Sequence, residues 1–283
     1  MNSHINKIFI IIFCYFNCLP CVLQAGGPIS DDPIVFSALI SLSNGSSGSG
    51  FYINDNKYLY FVTANHVLYK KINNTISLQD NNATILSYSR NKHLKITTIG
   101  QLNILDNTNN IKTIINKDIA IIRLASLDAN KIMVRKGVLI NNPDNAILTS
   151  THLTSLKQYD NVSIGSDIYI FGFPTSIGIQ QFPQIEYEKP LLRKGILAGK
   201  NDISKKIILD CFVYWGNSGG PVLDAEEVSI GGRKYNIIGV ITQFVPLVNK
   251  WEDIQKQSKL EVTNSGYSIA EPVDEIINII NNW

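Results

Sequence analysis

The chain has 283 residues, of which 45% are hydrophobic and 17% are charged, and its formal net charge is +2. A chain of this size and apolar content can bury a sizeable core, as one large domain or two small coupled ones, which excludes a disordered polypeptide. Its charged residues are scattered rather than gathered into runs, so we expect no nucleic-acid partner.

The first 25 residues are typical of a secretory signal peptide. Lys7 precedes an apolar run over residues 8–16, and Ala25 offers a small residue for cleavage. A membrane anchor or a buried strand is the alternative, but the uninterrupted apolar run is short for a bilayer span. We therefore predict a signal peptide over residues 1–25, no stable membrane anchor, and a secreted or periplasmic mature protein.

Three of the four cysteines lie in this leader, so the mature chain keeps only Cys211 and is expected to have no internal disulfide. A lipid-modified N-terminus at Cys18 or Cys21 is disfavoured, because Asn17 and Pro20 stand where such processing needs a small residue. Cys211 lies in an apolar run, and we interpret it as a small buried side chain rather than a reactive thiol.

The rest of the chain shows short apolar or alternating runs at intervals of roughly ten residues, which is typical of an all-β sandwich or barrel. Only the C-terminal end has helical spacing. There, Pro272 suits the first turn, and Glu271, Asp274 and Glu275 favour the positive helix start. The clearest apolar runs are residues 34–42, 58–62, 113–124, 167–173, 206–213 and 237–244.

Two single residues at the ends of apolar runs are candidates for chemistry. His66 follows the run 58–62, where a loop can present it to a cleft, although alone it is better interpreted as a structural histidine. Asp118 begins the run 119–124, and alone it is best interpreted as closing the preceding turn. Its other possible role is to hold the tautomer of a catalytic histidine. The glycine-rich residues 47–50 are not a phosphate loop, because a strand follows them rather than a helix.

The segment GNSGGPV over residues 216–222 is the most informative. Gly216 before Ser218, and two glycines after it, allow a sharp turn that brings backbone N–H groups together beside the hydroxyl. Acyl transfer needs such donors, each worth roughly 3 kcal/mol to the tetrahedral oxyanion. A simple hairpin turn is the alternative.

Together, the segments TANH (63–66), DIA (118–120) and GNSGGP (216–221) resemble the motifs of chymotrypsin-fold serine peptidases. The likeness is greatest to bacterial trypsin-like members and to the high-temperature-requirement proteases, here without an appended PDZ module. Residues 165–174 and 239–242 are similar to the strand that opens the second barrel of that family and to the strand beside its substrate groove.

The resemblance implies an all-β fold of two six-stranded antiparallel β-barrels with a C-terminal α-helix. The first barrel would cover residues 26–158 and hold His66 and Asp118. The second would cover residues 159–283 and hold Ser218 and the C-terminal helix. The polar passage 141–161 is the expected seam.

The resemblance also implies a serine endopeptidase that hydrolyses protein or peptide substrates through an acyl-enzyme intermediate, without a cofactor. Ser218 would be the nucleophile, His66 its general base and then acid, and Asp118 the orienting carboxylate. The backbone N–H groups of Gly216 and Ser218 would form the oxyanion hole.

For specificity, the resemblance places Phe212 at the base of the substrate pocket, and Trp215, Thr242 and Phe244 along its walls. Because no carboxylate stands at the base, a preference for Lys or Arg is not supported, and we expect a small or apolar side chain. The alternative is that Phe212 and Phe244 are core residues. Asn217 replaces the Asp that many digestive relatives pair with a newly cut N-terminus, so activation by that ion pair is not expected.

Two other classes of function are alternatives to an active peptidase. A catalytically silent binding protein on the same fold would usually have lost a triad residue, and here all three are present. An ester hydrolase of the α/β-hydrolase fold is opposed by the chain order, because the serine comes first there. No metal site is expected, because His93 and His152 have no partner at ligand spacing.

Overall fold

The computed structural model describes residues 36–72, 75–88, 96–103, 108–128, 131–136, 138–140, 148–175, 181–186, 189–229, 232–252 and 258–283. The predicted signal peptide and His93 lie outside these residues. None of the described helices is long and apolar enough to cross a membrane.

Strands dominate the described residues, as the alternating runs predicted. Helix α1 covers Asn65–Leu68 and helix α2 covers Asp274–Asn281, and single 3₁₀ turns cover Thr108–Asn110, Ile115–Lys117, Leu153–Ser155 and Tyr159–Asn161. The strands are β1 Ser37–Leu42, β2 Ser47–Asn54, β3 Tyr58–Ala64, β4 Tyr69–Ile72, β5 Thr75–Leu78, β6 Asn82–Tyr88, β7 Ile96–Asn103, β8 Ile111–Ile114, β9 Ile119–Asp128, β10 Lys131–Val134, β11 Val138–Ile140, β12 Thr151–His152, β13 Asp167–Gly172, β14 Leu191–Asn201, β15 Lys206–Asp210, β16 Pro221–Ser229, β17 Gly232–Glu252 and β18 Ser258–Pro272.

The first half of the chain forms a ten-stranded sheet with the order β10-β9-β3-β2-β1-β6-β7-β11. Strand β8 pairs with the beginning of β9, and β12 runs parallel to the end of β2. Strands β4 and β5 form a separate hairpin. The all-β class is confirmed, but this unit has more strands than the six expected, because short strands add to its edges. Among the described residues, no hydrogen-bonded pairing joins β10 to β11.

The second half forms a closed barrel of six antiparallel strands, in the order β13-β14-β15-β18-β17-β16, as expected. Pairing of β13 with β16 closes it. The boundary predicted between residues 158 and 159 falls between β12 and β13, and stays a prediction.

A hydrophobic core lies between the two units and is covered by α2. It contains Phe51 from the first sheet and Leu223 from the closed barrel. Val273, which precedes α2, and Ile276 and Ile280 of α2 belong to the same core. The helical spacing predicted at the C-terminus therefore corresponds to a helix that packs on the core shared by the two units.

The limits of three predicted elements were wrong. A 3₁₀ turn at Ile115–Lys117 divides the run 113–124, and β15 ends at Asp210 rather than at residue 213. Helix α2 begins at Asp274, so Glu271 and Pro272 both lie in β18 and not in the first turn of the helix. The Glu271 side chain is buried and pairs with the ammonium group of Lys206. Tertiary pairing has overridden the local signals in each case.

We predict that Ile276→Ala lowers the free energy of unfolding by about 2–5 kcal/mol, because it removes buried methyl groups from the core between the two units. Asn281→Ala, an exposed change on the same helix, is the control and should stay within about 0.5 kcal/mol. Urea unfolding of both variants measures the difference. Equal losses would contradict the role assigned to α2.

Candidate active site

The pairing of β3 with β9 brings His66 and Asp118 together. These strands are antiparallel, with Ala64 opposite Ile119. The end of β3 therefore lies beside the beginning of β9. The chain leaves β3 through α1, which contains His66, and enters β9 from Asp118. Two residues far apart in sequence thus meet at one edge of the first sheet.

The imidazole of His66 and the carboxylate of Asp118 form a close pair. Nδ1 of His66 lies 2.6 Å from Oδ2 of Asp118, and the backbone N–H of His66 donates to Oδ1 at 2.9 Å. Because an ionised carboxylate only accepts hydrogen bonds, Nδ1 carries the proton of a neutral imidazole. Nε2 is then left as an acceptor on the other side of the ring.

Asp118 also closes the turn before β9, which was the alternative interpretation of this residue. Its φ is +49°, a left-handed conformation that Asp tolerates. Its N–H donates to the carbonyl of Ile115 at 3.3 Å, and its own carbonyl accepts from Asn65 N–H at 2.9 Å. The turn therefore aims the carboxylate at the imidazole, and the role of Asp118 beside a catalytic histidine stays a prediction.

Gln79 holds the C-terminal end of α1, and sequence reasoning missed it. Its side-chain Nε2 donates to the carbonyls of His66 at 2.7 Å and Val67 at 3.3 Å. A four-residue helix leaves its last carbonyls without internal partners, so these bonds satisfy groups that helix geometry leaves open. No local pattern distinguishes Gln79 from the other polar residues of its loop.

The loop of residues 214–220 packs directly on β2 and β3. The carbonyl of Ser218 accepts from Ser49 N–H at 2.7 Å. Gly219 has φ +87°, and an ideal Cβ there would lie 2.1 Å from the Ser49 carbonyl oxygen and 2.8 Å from the Ala64 nitrogen. Only glycine fits this approach, which puts Ser218 beside the strand that leads to His66. Ser218 is half-buried, and among the described residues its hydroxyl makes no hydrogen bond.

The backbone N–H groups around Ser218 fall into two sets. Those of Asn217, Gly219 and Gly220 donate to carbonyls at 3.0, 2.7 and 2.9 Å. Those of Gly216 and Ser218, the predicted oxyanion-hole donors, have no acceptor among the described residues. Within the described residues, the two predicted donors are therefore not used to hold the loop together.

A hydrogen bond fixes the direction of the Gly216 N–H. The carbonyl of Trp215, in the same peptide unit, accepts from Thr175 N–H at 2.9 Å. Because the C=O and N–H of a planar trans peptide point in opposite directions, this bond aims the Gly216 N–H away from Thr175. Gly216 has φ +92°, and an ideal Cβ there would lie 2.2 Å from the Phe173 carbonyl oxygen.

The four predicted pocket residues have different surroundings. Phe212 and Trp215 are 47% and 72% exposed, so Phe212 is not a core residue. The Trp215 ring meets the Phe244 ring edge to face, with centroids 5.8 Å apart, and Phe244 packs on the barrel core. Thr242 is buried, and its hydroxyl donates to the Ile269 carbonyl at 3.4 Å. The aromatic side chains, rather than Thr242, present a surface next to the loop of Ser218.

Gly266 faces Phe212 and was not identified from the sequence. Its φ is +92°, and an ideal Cβ would lie 3.4 and 3.5 Å from Cζ and Cε2 of the phenyl ring. It lies where β17 and β18 lose register, between the pair Phe244–Ser268 and the pair Pro246–Asn264. A glycine inside a strand is a signal of a bulge or a close approach, which could have identified it.

Two remaining sequence candidates lie apart from this chemistry. Cys211 is buried, as interpreted from the sequence, and burial raises the pKa of its thiol to about 11. His152 is the last residue of β12, and its Nδ1 lies 2.8 Å from the Thr154 hydroxyl. In the described part of the chain, no group of three or more His, Cys, Asp or Glu side chains has a metal-binding arrangement.

Comparison with known proteins gives one family match. A model of the trypsin-like peptidase domain matches residues 48–231, a range that includes His66, Asp118 and Ser218. No curated protein matches the chain.

Comparison with solved structures finds several that are similar to the chain, among them the following three. The serine endoprotease from Yersinia pestis has 15% identity and a TM-score of 0.47, covering 90% of this chain and 67% of its own. Deg5 has 16% identity and a TM-score of 0.45, covering 88% of each chain. The HtrA-type protease AlgW with a tripeptide has 16% identity and a TM-score of 0.47, covering 89% of this chain and 61% of its own.

We predict that Cys211 of the folded protein resists alkylation by iodoacetamide at pH 8 and reacts faster as the pH approaches 11. The thiolate is the reactive form, and a pKa of about 11 keeps the group protonated below that pH. Mass spectrometry of the Cys211 peptide measures the rate, with the urea-unfolded chain as control. Equal rates in folded and unfolded protein at pH 8 would contradict the burial.

Proposed function

Because the chain belongs to the trypsin-like peptidase domain family and is a serine peptidase, we propose that it is a secreted endopeptidase with Ser218, His66 and Asp118 as its catalytic triad. The membership also confirms the resemblance predicted from the three motifs. One observation carries the proposal: the N–H groups of Gly216 and Ser218 lack acceptors among the described residues, while those of Asn217, Gly219 and Gly220 are bonded.

The first half-reaction forms an acyl-enzyme. Ser218 Oγ attacks the carbonyl carbon of the scissile peptide bond, and its proton passes to Nε2 of His66. The negative charge that develops on the carbonyl oxygen is stabilised by the N–H groups of Gly216 and Ser218. His66 then gives its proton to the leaving amine nitrogen, and the C–N bond breaks. Asp118 remains ionised and holds the imidazolium.

The second half-reaction releases the acyl group by the same steps with water as the nucleophile. His66 takes a proton from the water, whose oxygen attacks the ester carbonyl in the same oxyanion hole. The proton then returns to Ser218 Oγ as the ester bond breaks. Catalytic hydrogen bonds are commonly long before substrate binds, so the unpaired hydroxyl of Ser218 is consistent with this cycle.

The substrate preference that we propose is a small or apolar side chain. Phe212, which the resemblance assigns to the base of the pocket, packs over Gly266, and the rings of Trp215 and Phe244 meet edge to face. These groups are apolar, so a charged side chain would lose its hydration without a partner. At the base of the pocket, the phenyl ring of Phe212 would leave less depth for a large side chain than a smaller residue would.

Secretion rests on the leader pattern of residues 1–25 and is tested separately from catalysis. Expression of the full chain in a bacterial host, followed by N-terminal sequencing of the released protein, would support the proposal if the mature chain begins near Gly26. Retention of Met1 on a cell-associated product would contradict it.

For catalysis, we predict that a fluorophosphonate probe labels the purified mature protein at Ser218, and that Ser218→Ala abolishes labelling. The probe reports an activated serine and requires no known substrate. Peptide mass spectrometry locates the adduct. Ser163→Ala, which removes an exposed serine, is the matched control and should label as the wild type does.

The result also separates the peptidase from its alternative. A folded protein that is not labelled would remove support for the triad and leave a catalytically silent binding protein. Labelling at another serine would show that the nucleophile is assigned wrongly.

We further predict that Phe212→Ala shifts the preferred substrate side chain from small to large apolar by at least about tenfold in kcat/KM, because it opens the base of the pocket. Cleavage of a peptide library, read by mass spectrometry, measures the change. The control is Ile164→Ala, an exposed change near the opposite end of β13 from Ser218. An unchanged profile for Phe212→Ala would contradict the pocket assignment.

A further inference from the structure

Ser49 lies at the contact between the two halves of the site, and no motif assigned it a role. It is fully buried on β2. Its backbone N–H donates to the Ser218 carbonyl at 2.7 Å, and its carbonyl accepts from the Thr63 hydroxyl at 2.7 Å. Its main chain therefore joins β3 to the loop of the candidate nucleophile.

The Ser49 hydroxyl makes two further bonds, both to backbone groups of the second unit. It donates to the carbonyl of Gly216 at 2.6 Å and accepts from the N–H of Phe173 at 2.9 Å. Phe173 and Gly216 are buried, so water cannot replace the hydroxyl without entering the core. One side chain of the first sheet thus satisfies two buried polar groups of the closed barrel.

The Gly216 carbonyl lies between the two candidate oxyanion donors. It belongs to the peptide unit that joins Gly216 to Asn217, with the Gly216 N–H before it and the Ser218 N–H after it. Glycine places no side-chain limit on its own torsions, so the orientation of this unit must come from hydrogen bonds. Ser49 supplies the bond on the carbonyl, and the Tyr214 carbonyl accepts from Asn217 N–H at 3.0 Å.

We propose that the Ser49 hydroxyl is a positioning residue for the oxyanion hole, acting through the Gly216 carbonyl. The inference rests on the proposed function, because it gives Ser49 a task only if Gly216 and Ser218 stabilise an oxyanion. Ser49 touches neither the substrate nor the imidazole of His66. Its loss should slow attack by Ser218 without altering the acid–base group.

The test is the rate of fluorophosphonate labelling at Ser218 in the mature protein. The phosphonyl oxygen becomes negative in the transition state, as a peptide carbonyl oxygen does, so the rate reports the oxyanion hole. Direct loss of one donor slows catalysis by about 10²–10³. We expect Ser49→Ala, which frees the peptide but keeps both donors, to slow labelling by about 10- to 100-fold.

A second readout separates positioning of the hole from general damage to the site. The midpoint of labelling rate against pH reports the His66 base, which Ser49 does not contact, so we expect it to stay at the wild-type value. Ser87→Ala is the matched control, because Ser87 is equally buried but lies on β6 opposite Ala38. We expect Ser87→Ala to lose about as much thermal stability as Ser49→Ala, but to slow labelling at Ser218 much less.

Ser49→Cys serves if Ser49→Ala does not fold, because the slightly larger sulfur leaves no cavity but donates a much weaker hydrogen bond. Slow labelling of either folded variant with an unmoved pH midpoint supports the inference. A rate within twofold of the wild type, or a moved midpoint, overturns it while labelling of the wild type still supports the triad. No labelling of the wild type overturns the proposed function and this inference together.

Discussion

The close approach of two backbones at Gly219 is the constraint on which the site depends. There, the loop of residues 214–220 touches the ends of β2 and β3, with no room for a Cβ. Its φ of +87° adds a second reason for glycine at this position. Because the contact joins the closed barrel to the first sheet, it also fixes Ser218 relative to His66. The position of Ser218 thus depends on contact between two main chains, and such a contact allows little displacement of the loop.

Antiparallel strand pairing explains why much of the candidate site could be predicted from sequence. A glycine-rich turn around a serine, a histidine after a strand and an aspartate before a strand each have an ordinary structural explanation. They become informative together, because antiparallel pairing of β3 with β9 makes the end of one strand meet the beginning of the other. The positions of His66 and Asp118 in the sequence are therefore consistent with the pairing of β3 and β9 that the structure shows.

What sequence could not supply is the set of contacts made across elements. Ser49 and Gln79 act through hydrogen bonds to residues distant in the chain, and no periodicity marks them. The left-handed turn at Asp118 and the burial of Glu271 beside Lys206 likewise follow from tertiary pairing. The extra strands of the first sheet are short and lie among Asn-rich segments, where alternation of polar and apolar residues is too brief to predict them.

The long hairpin of β17 and β18 shows how one element serves both the core and the pocket. Where β17 pairs with β16, the hairpin forms part of the barrel wall, and Val240 and Ile241 are buried. Where the register breaks, Gly266 turns the chain under the ring of Phe212. Beyond that point both strands continue with exposed apolar side chains, among them Trp251 and Leu260. The bulge therefore divides a structural half from a solvent-facing half.

Asn217 indicates how the loop of Ser218 keeps its shape. Its side chain is buried, and its Oδ1 accepts from Tyr214 N–H at 2.9 Å. An aspartate in this place would bring a buried charge that needs a cationic partner. The neutral amide removes that need and closes the turn by itself. The order of the loop then comes from uncharged hydrogen bonds and from the glycine contacts on either side, which is consistent with a peptidase that requires no ion pair from a newly formed N-terminus.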